Sequence, residues 1–381
     1  MSLNILSIDG GGIRGIIPAR VLQYVEEQTG KQIYELFDLI VGTSTGAILA
    51  AGLSVPSDRV KRILKHERRN AYNSAEMIQL FREYGPAIFP LNWKCFIPNI
   101  HLLTVSKYPS TGIERSLKTV FGAETSLADA LCEILVSSYD MWGETWMQFT
   151  RSGTRSIFER KLDPQKQIDG EYEQQIRFQN LLWVVCRASS AAPTYFPPLK
   201  YPLSSGKSRA LIDGGVACNN PSMIGAGYVL RRIIKEKRLL SSITFLSLGT
   251  GYSSASESFE LLSRTKGYMW GKLAPQAMMR SSMDISTGVT KSALMFVADD
   301  AEYTRLDCDL LEPEMSARQA YLRHGVFGRA SGRMDDVSES NLNRLVDVGE
   351  AIVDSRKKKL DAICLRLMKK FELPITPTPS P

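Results

Sequence analysis

Ser44 is the central residue of Gly42-Thr43-Ser44-Thr45-Gly46, a Gly-x-Ser-x-Gly pentapeptide. Such a pentapeptide does chemistry in one setting, a sharp turn between a buried strand and a helix. There the serine projects at a helix N-terminus, whose partial positive charge favours a developing anion. The backbone is crowded in such a turn, which accounts for a glycine two residues to either side. A serine hydroxyl is a weak nucleophile until a base takes its proton. The chain has three histidines, none well placed. His66 sits among Lys65, Glu67, Arg68 and Arg69 in a charged helical segment, and His101 follows Pro98-Asn99-Ile100 in a loop. His324 comes in the right chain order but in an unpromising late helical setting. Two aspartates offer an alternative base. Asp9 and Asp213 each end a short apolar run and precede glycines. A carboxylate in hydrogen-bond reach of Ser44 could take its proton and return it to the leaving group, best when partly desolvated with a raised pKa. Periodicity does not choose between the two.

The run Gly10-Gly11-Gly12-Ile13-Arg14-Gly15 presents successive N–H groups with a cation beside them. In acyl transfer that surface is an oxyanion hole. In a non-catalytic nucleotide-binding or scaffolding protein the same Gly-x-Gly-x-x-Gly pattern would cradle a phosphate and leave Ser44 inert. No acidic ribose-binding residue falls at a second strand end, which counts against a dinucleotide fold.

These residues need elements to hold them. Asn4–Asp9 reads as a short buried strand. Pro18 suits a first helical turn, Val21, Leu22 and Val25 recur at helical spacing, and Gly30 suits a C-cap. Phe37–Gly42 is a second strand, and Gly46–Gly52 is a helix with a small-residue face. Strand, helix, strand implies a parallel pair with a right-handed crossover. Residues 57–122 read as polar and helical, with a basic amphipathic segment at Ser57–Arg69 and capping-box spacing at Thr111-Gly112-Ile113-Glu114. Tyr84–Pro98, aromatic and proline-rich, reads as a loop and a candidate lid or membrane-contacting flap. Glu133–Tyr139 is a strand, residues 150–180 are polar and irregular, and Leu181–Ala188 is an apolar helix or strand. Ala210–Asp213 and Ile243–Leu248 are strands on either side of a helix over Pro221–Lys237. The alternation predicts an α/β catalytic core over residues 1–252 with a largely parallel sheet. Residues 253–371 read as a mostly helical C-terminal region packing on that core, with a regulatory role as a further expectation. Arg356-Lys357-Lys358-Lys359 reads as a solvated basic face, and 372–381 as a disordered tail.

Composition narrows the setting. The 381 residues are 44% hydrophobic and 23% charged, ordinary for a globular protein and incompatible with wholesale disorder. Lys+Arg is 47 against Asp+Glu 40, a net charge of +7 that permits contact with an anionic surface without demanding it. The six cysteines form no CxxC pair and several sit in apolar runs, so reduced core thiols are expected and no zinc site is. No EF-hand-like carboxylate spacing supports calcium dependence, and no cofactor is implied. The uncharged stretch Leu39–Ser57 has the length of a membrane span, but its glycines, Pro56 and small residues fit a buried strand, turn and helix. Met1–Ile8 lacks a basic flank and Asp9 ends it, so no signal peptide and a cytoplasmic protein are expected. Nucleic-acid binding has only the charge balance behind it and is not expected.

Taken in order, Asp9-Gly-Gly-Gly-Ile-Arg-Gly15, Gly42-Thr-Ser-Thr-Gly46, Ala188-Ser-Ser-Ala-Ala-Pro193 with Tyr195-Phe-Pro197, Asp213-Gly-Gly215 and Ser247-Leu-Gly-Thr-Gly251 resemble the patatin-like phospholipase family. The resemblance spans roughly residues 4–252. It implies a three-layer α/β/α sandwich and a serine lipid acyl hydrolase that cleaves membrane phospholipid through a Ser-Asp dyad without histidine. It assigns Ser44 as nucleophile and Asp213, rather than Asp9, as base. Gly11 and Gly12, supported by Gly10 and Arg14, become the oxyanion hole. The catalytic blocks do not depart from the family pattern. Overall length and arrangement are also similar to bacterial patatin-like effectors of antiphage signalling. That likeness implies a cyclic di- or trinucleotide activator, a peripheral membrane contact at the inner face of the cell membrane, and scope for a homo-oligomer.

Overall fold

The computed structural model describes residues 2–60, 69–90, 106–151, 153–156, 180–202, 208–237, 240–252, 259–310 and 330–372. Its centre is a mixed nine-stranded sheet, ordered β5-β4-β3-β2-β1-β8-β9 with β7 and β6 branching from β3. The strands are β1 (Ser2–Ile8), β2 (Leu39–Gly42), β3 (Glu133–Asp140), β4 (Thr145–Thr150), β5 (Gly153–Ser156), β6 (Leu199–Pro202), β7 (Ser208–Asp213), β8 (Ser242–Leu248) and β9 (Asp300–Leu306). The block β3-β2-β1-β8-β9 is parallel, and β4 to β7 pair antiparallel. Long helices carry the connections: α1 (Ile16–Thr29), α2 (Thr45–Ser54), α3 (Ser74–Ile88), α4 (Ser110–Phe121), α5 (Leu182–Ser189), α6 (Ser222–Glu236), α7 (Gly267–Leu294), α8 (Glu339–Ser355) and α9 (Lys357–Glu372).

Burial on both faces explains the unbroken apolar runs of the central strands. All of β2 is buried, as is β1 from Asn4 onward. One core joins β1 and β2 to α1, α2, α8 and α9, and a second lies across the sheet under α6. This is the expected α/β/α layering with parallel central strands. Gly30 closes α1 in the left-handed conformation (φ 65°), and α6 runs over Ser222–Glu236 as its spacing predicts. The described cysteines are free, four of them buried. No helix among the described residues is long and apolar enough to cross a membrane.

Several local expectations need correction. The region after residue 252 is mostly helical as expected among the described residues, but it also supplies a strand the sequence did not reveal, β9, which pairs in parallel with β8 over its whole length. Asp300-Ala-Glu-Tyr-Thr-Arg-Leu306 hides this by carrying charges on an edge strand, where one side can meet water or an ion partner. Helix α3 continues through Tyr84–Ile88, so the proposed loop starts later; its remainder, 91–98, lies outside the described residues. Helix α4 begins after Pro109 without a side-chain cap, and Glu114 pairs instead with the buried Arg187 (3.4 Å). Residues 153–156 form the edge strand β5 where irregular chain was expected. Leu181–Ala188 resolves as the helix α5. The tail 373–381, Cys95, most of the Ser57–Arg69 segment and all three histidines lie outside the described residues.

The tightest packing constraint falls where α2 crosses β1. A Cβ built on Gly46 would stand 2.1 Å from the Ile8 carbonyl oxygen, a backbone atom that cannot rotate away. Gly46→Ala is therefore expected to lower stability by about 3 kcal/mol, measured by urea denaturation.

Candidate active site

The pairing partners of β3 bring the key residues together. β2 occupies one edge of β3 as far as Gly42, opposite Val136. Two residues further along, at Ser138, the antiparallel strand β7 is paired through Asp213. Two residues of strand span roughly 7 Å. The end of β2 and the end of β7 thus point at each other across a short gap, and chain segments about 170 residues apart deliver Ser44 and Asp213 to one place.

Ser44 sits on the bend between β2 and α2 with φ 54° and ψ −119°, a positive φ that a side-chain-bearing residue rarely adopts. Such strain costs on the order of 1–3 kcal/mol and is characteristic of functional turns. Neighbouring hydrogen bonds hold it. The Ser44 N–H donates to Ser189 Oγ (2.8 Å), while Thr43 Oγ1 lies 2.9 Å from Ser137 Oγ and donates to the Cys218 carbonyl (3.0 Å). The Ser44 hydroxyl acts on the Asp213 carboxyl as a hydrogen-bonding neighbour that lowers its pKa, and Asp213 Oδ1 accepts from the Gly215 N–H (2.6 Å). Burial pushes the Asp213 carboxyl up to about 6, against the lowering effect of those two hydrogen bonds.

The glycine-rich loop runs beside this pair. The Gly10 N–H is already donated to the Asn219 carbonyl (3.2 Å), so Gly10 offers no free donor. The N–H groups of Gly11 and Gly12 meet no acceptor among the described residues. Gly12 has φ 59°, and a Cβ there would lie 2.2 Å from the Met334 carbonyl oxygen, so only glycine fits. Arg14 is buried behind the loop. Its Nε donates to the Gly11 carbonyl (3.3 Å) and its Nη1 to the Gly251 carbonyl (3.0 Å), so it braces the loop through its acceptors.

Asp9 is committed elsewhere. Its fully buried carboxylate accepts from both Arg305 terminal nitrogens (2.8 and 2.5 Å), and Arg305 also reaches Ser247 Oγ (2.9 Å) and Asp307 (2.7 Å). Burial works to lower the Arg305 pKa, but the Asp9 and Asp307 carboxylates more than offset it and hold the guanidinium above its ordinary range. Asp307 in turn accepts from the Gly251 N–H (3.0 Å), and Thr250 Oγ1 donates to the Gly10 carbonyl (2.7 Å). Sequence reading missed Arg305, Asp307, Ser189 and Asn219 as parts of this site. Arg305-Leu306-Asp307 did carry a signal, since charges two apart face one side of a strand, but only once β9 is recognised. No group of His, Cys, Asp or Glu among the described residues is arranged to hold a metal ion.

Fold and bend together define an α/β protein with a strained Gly-x-Ser-x-Gly turn between a buried central strand and a helix. A family model described as "Patatin-like phospholipase" matches residues 6–224, more than half of the chain. "Patatin-like protein 2" of Oryza sativa subsp. indica is 27% identical over 385 residues, covering 94% of this chain and 85% of its own. "Patatin-04/09" of Solanum tuberosum is 27% identical over 373 residues, covering 92% and 83%. Among solved structures, human GIVD cytosolic phospholipase A2 with a fluorophosphonate inhibitor is similar at 11% identity and TM-score 0.46, and this chain spans 60% of its length. The chain belongs to the patatin-like phospholipase family, a family of lipid acyl hydrolases.

Two stability predictions follow from the buried charges. Removing Arg305 as Arg305→Met leaves Asp9 uncompensated and should cost about 3–5 kcal/mol; adding Asp9→Asn should restore much of it in the same denaturation assay. Asp213 has no cation paired with it, and its raised native pKa means that its contribution is full below the unfolded value and lost as pH rises through about 6. Asp213→Asn should therefore be more stable than the parent at pH 8 by about 3 kcal/mol, the gap closing below about pH 4.

Proposed function

We propose that the protein cleaves fatty-acyl esters of membrane phospholipids through a Ser44–Asp213 dyad and an acyl-enzyme intermediate. The observation that supports this most directly is the strained Ser44 delivered by the end of β2 to a buried carboxylate at the end of β7 whose pKa lies close to working pH. Asp213 accepts the Ser44 proton as Oγ attacks the ester carbonyl, forming the C–O bond of a tetrahedral intermediate. The negative charge on the former carbonyl oxygen is met by the Gly11 and Gly12 N–H groups and by the N-terminus of α2. Collapse expels the lysolipid alkoxide, which takes the proton from Asp213. Water then attacks the Ser44 ester, again losing its proton to Asp213. Fatty acid departs and the proton returns to Ser44. Gly10 and Arg14 serve this reading by shaping the loop.

Ser44→Ala and Asp213→Asn should each lower fatty-acid release from phospholipid vesicles by at least about 10³-fold. Activity near the parent level in either variant excludes the dyad. Because the base acts deprotonated, kcat/KM should be flat above about pH 7 and fall about tenfold per unit below about pH 6. The same vesicle assay, run with cyclic di- and trinucleotides, tests the expected switch: a low resting rate raised by one of them supports it, and a full rate indifferent to all of them excludes it.

A further inference from the structure

Helix α7 has two apolar faces, and only one of them is covered. Met283, Ser286, Thr290 and Leu294 are buried where the helix packs on α6, β9 and the Gly215–Cys218 turn. Helical periodicity places Met278, Ile285 and Val289 on a second stripe, about 125° round the axis from the first. These side chains are 71%, 56% and 46% exposed. Between Trp270 and Ser292 no charged residue falls on that stripe. Exposed apolar side chains continue at both ends, with Phe259, Met269 and Trp270 before it and Met295 and Phe296 after it.

The stripe leads to the site. The Gly215–Cys218 turn follows Asp213 directly, and α7 holds it: Ser282 Oγ reaches the Ala217 carbonyl, and Ser286 Oγ accepts from the Met223 N–H (3.0 Å). Val216 and Met223 are themselves exposed. Exposed apolar side chains thus occur both next to Asp213, on the turn the helix holds, and along the helix itself.

Its shape and flanking charge select the occupant. From Met278 to Val289 the stripe is about 17 Å long and one side-chain row wide, on the order of 200 Å². A stable dimer needs about 800 Å² on each partner. A narrow apolar row with an aromatic at one end suits a helix lying in a lipid interface instead. Arg264 and Lys266 are exposed beside Phe259, Met269 and Trp270, and the whole chain carries +7, so the surface favoured is anionic.

We infer that α7 lies flat on an anionic phospholipid surface, with Met278, Ile285 and Val289 sunk into the acyl boundary and Arg264 and Lys266 at the phosphates. This places the Asp213 side of the site against the bilayer, and in that respect it rests on the acyl-hydrolase reading. The test is co-sedimentation with vesicles of phosphatidylglycerol and phosphatidylcholine, using the full chain carrying Ser44→Ala so that lipid survives. Adding Ile285→Asp and Val289→Asp should weaken binding about tenfold or more, and Arg264→Glu with Lys266→Glu should weaken it only where phosphatidylglycerol is present. In the active background, both pairs should leave hydrolysis of a soluble short-chain ester unchanged. Vesicle binding by the aspartate pair equal to the parent overturns the inference. So does loss of self-association in light scattering with lipid binding kept, which would assign the stripe to a second copy. Failure of the parent to cleave the soluble ester would sink the catalytic reading while leaving lipid docking intact.

Discussion

The site depends on β3 having two partners in succession along one edge. β2 pairs in parallel as far as Gly42, and β7 takes over antiparallel at Asp213. A sheet built only of parallel strands would send every strand end in one direction, and facing ends would not occur. The switch of direction along a shared edge lets a residue beyond one strand meet the last residue of another. The separation is then set by strand rise and backbone hydrogen bonds, which are stiffer than any loop. The bend at Ser44 is affordable because Ser189 and Thr43 hold its flanks.

A second constraint holds the glycine-rich loop from behind. Asp9, Arg305 and Asp307 form a buried charged chain from the end of β1 to the end of β9, and Arg14 and Thr250 tie the loop carbonyls to the neighbouring turn. With its acceptors satisfied on that side, the loop presents the Gly11 and Gly12 donors on the other. The two aspartates with matching local sequences are thereby separated by their partners. Burial lifts both carboxyls to about 6, but Asp9 is paired with a guanidinium whereas Asp213 faces only a hydroxyl and an amide.

Much of this was legible in the residues. The apolar runs of β1 and β2 announced buried parallel strands, and the pentapeptide around Ser44 announced its own turn, because both signals are local. The choice between Asp9 and Asp213 was not local, and the resemblance to a family was needed to make it. The strand β9 was hidden because it carries three charged residues in seven, and one of them, Arg305, finds its partner only in Asp9, 296 positions away. Arg14 looked like a donor to substrate on sequence grounds, yet its guanidinium points at main-chain carbonyls. The spent N–H of Gly10 was equally invisible, since its acceptor belongs to Asn219.

The late position of Arg305 has a consequence for biogenesis. As the polypeptide is made, the hydroxyl and its carboxylate partner both leave the ribosome well before the guanidinium that secures Asp9. Until that residue arrives, the edge of β8 stays open and a buried negative charge stays unmatched. The nascent chain therefore gains its finished loop only after Arg305 has emerged, and a truncated product carrying Ser44 and Asp213 without it is still poorly assembled.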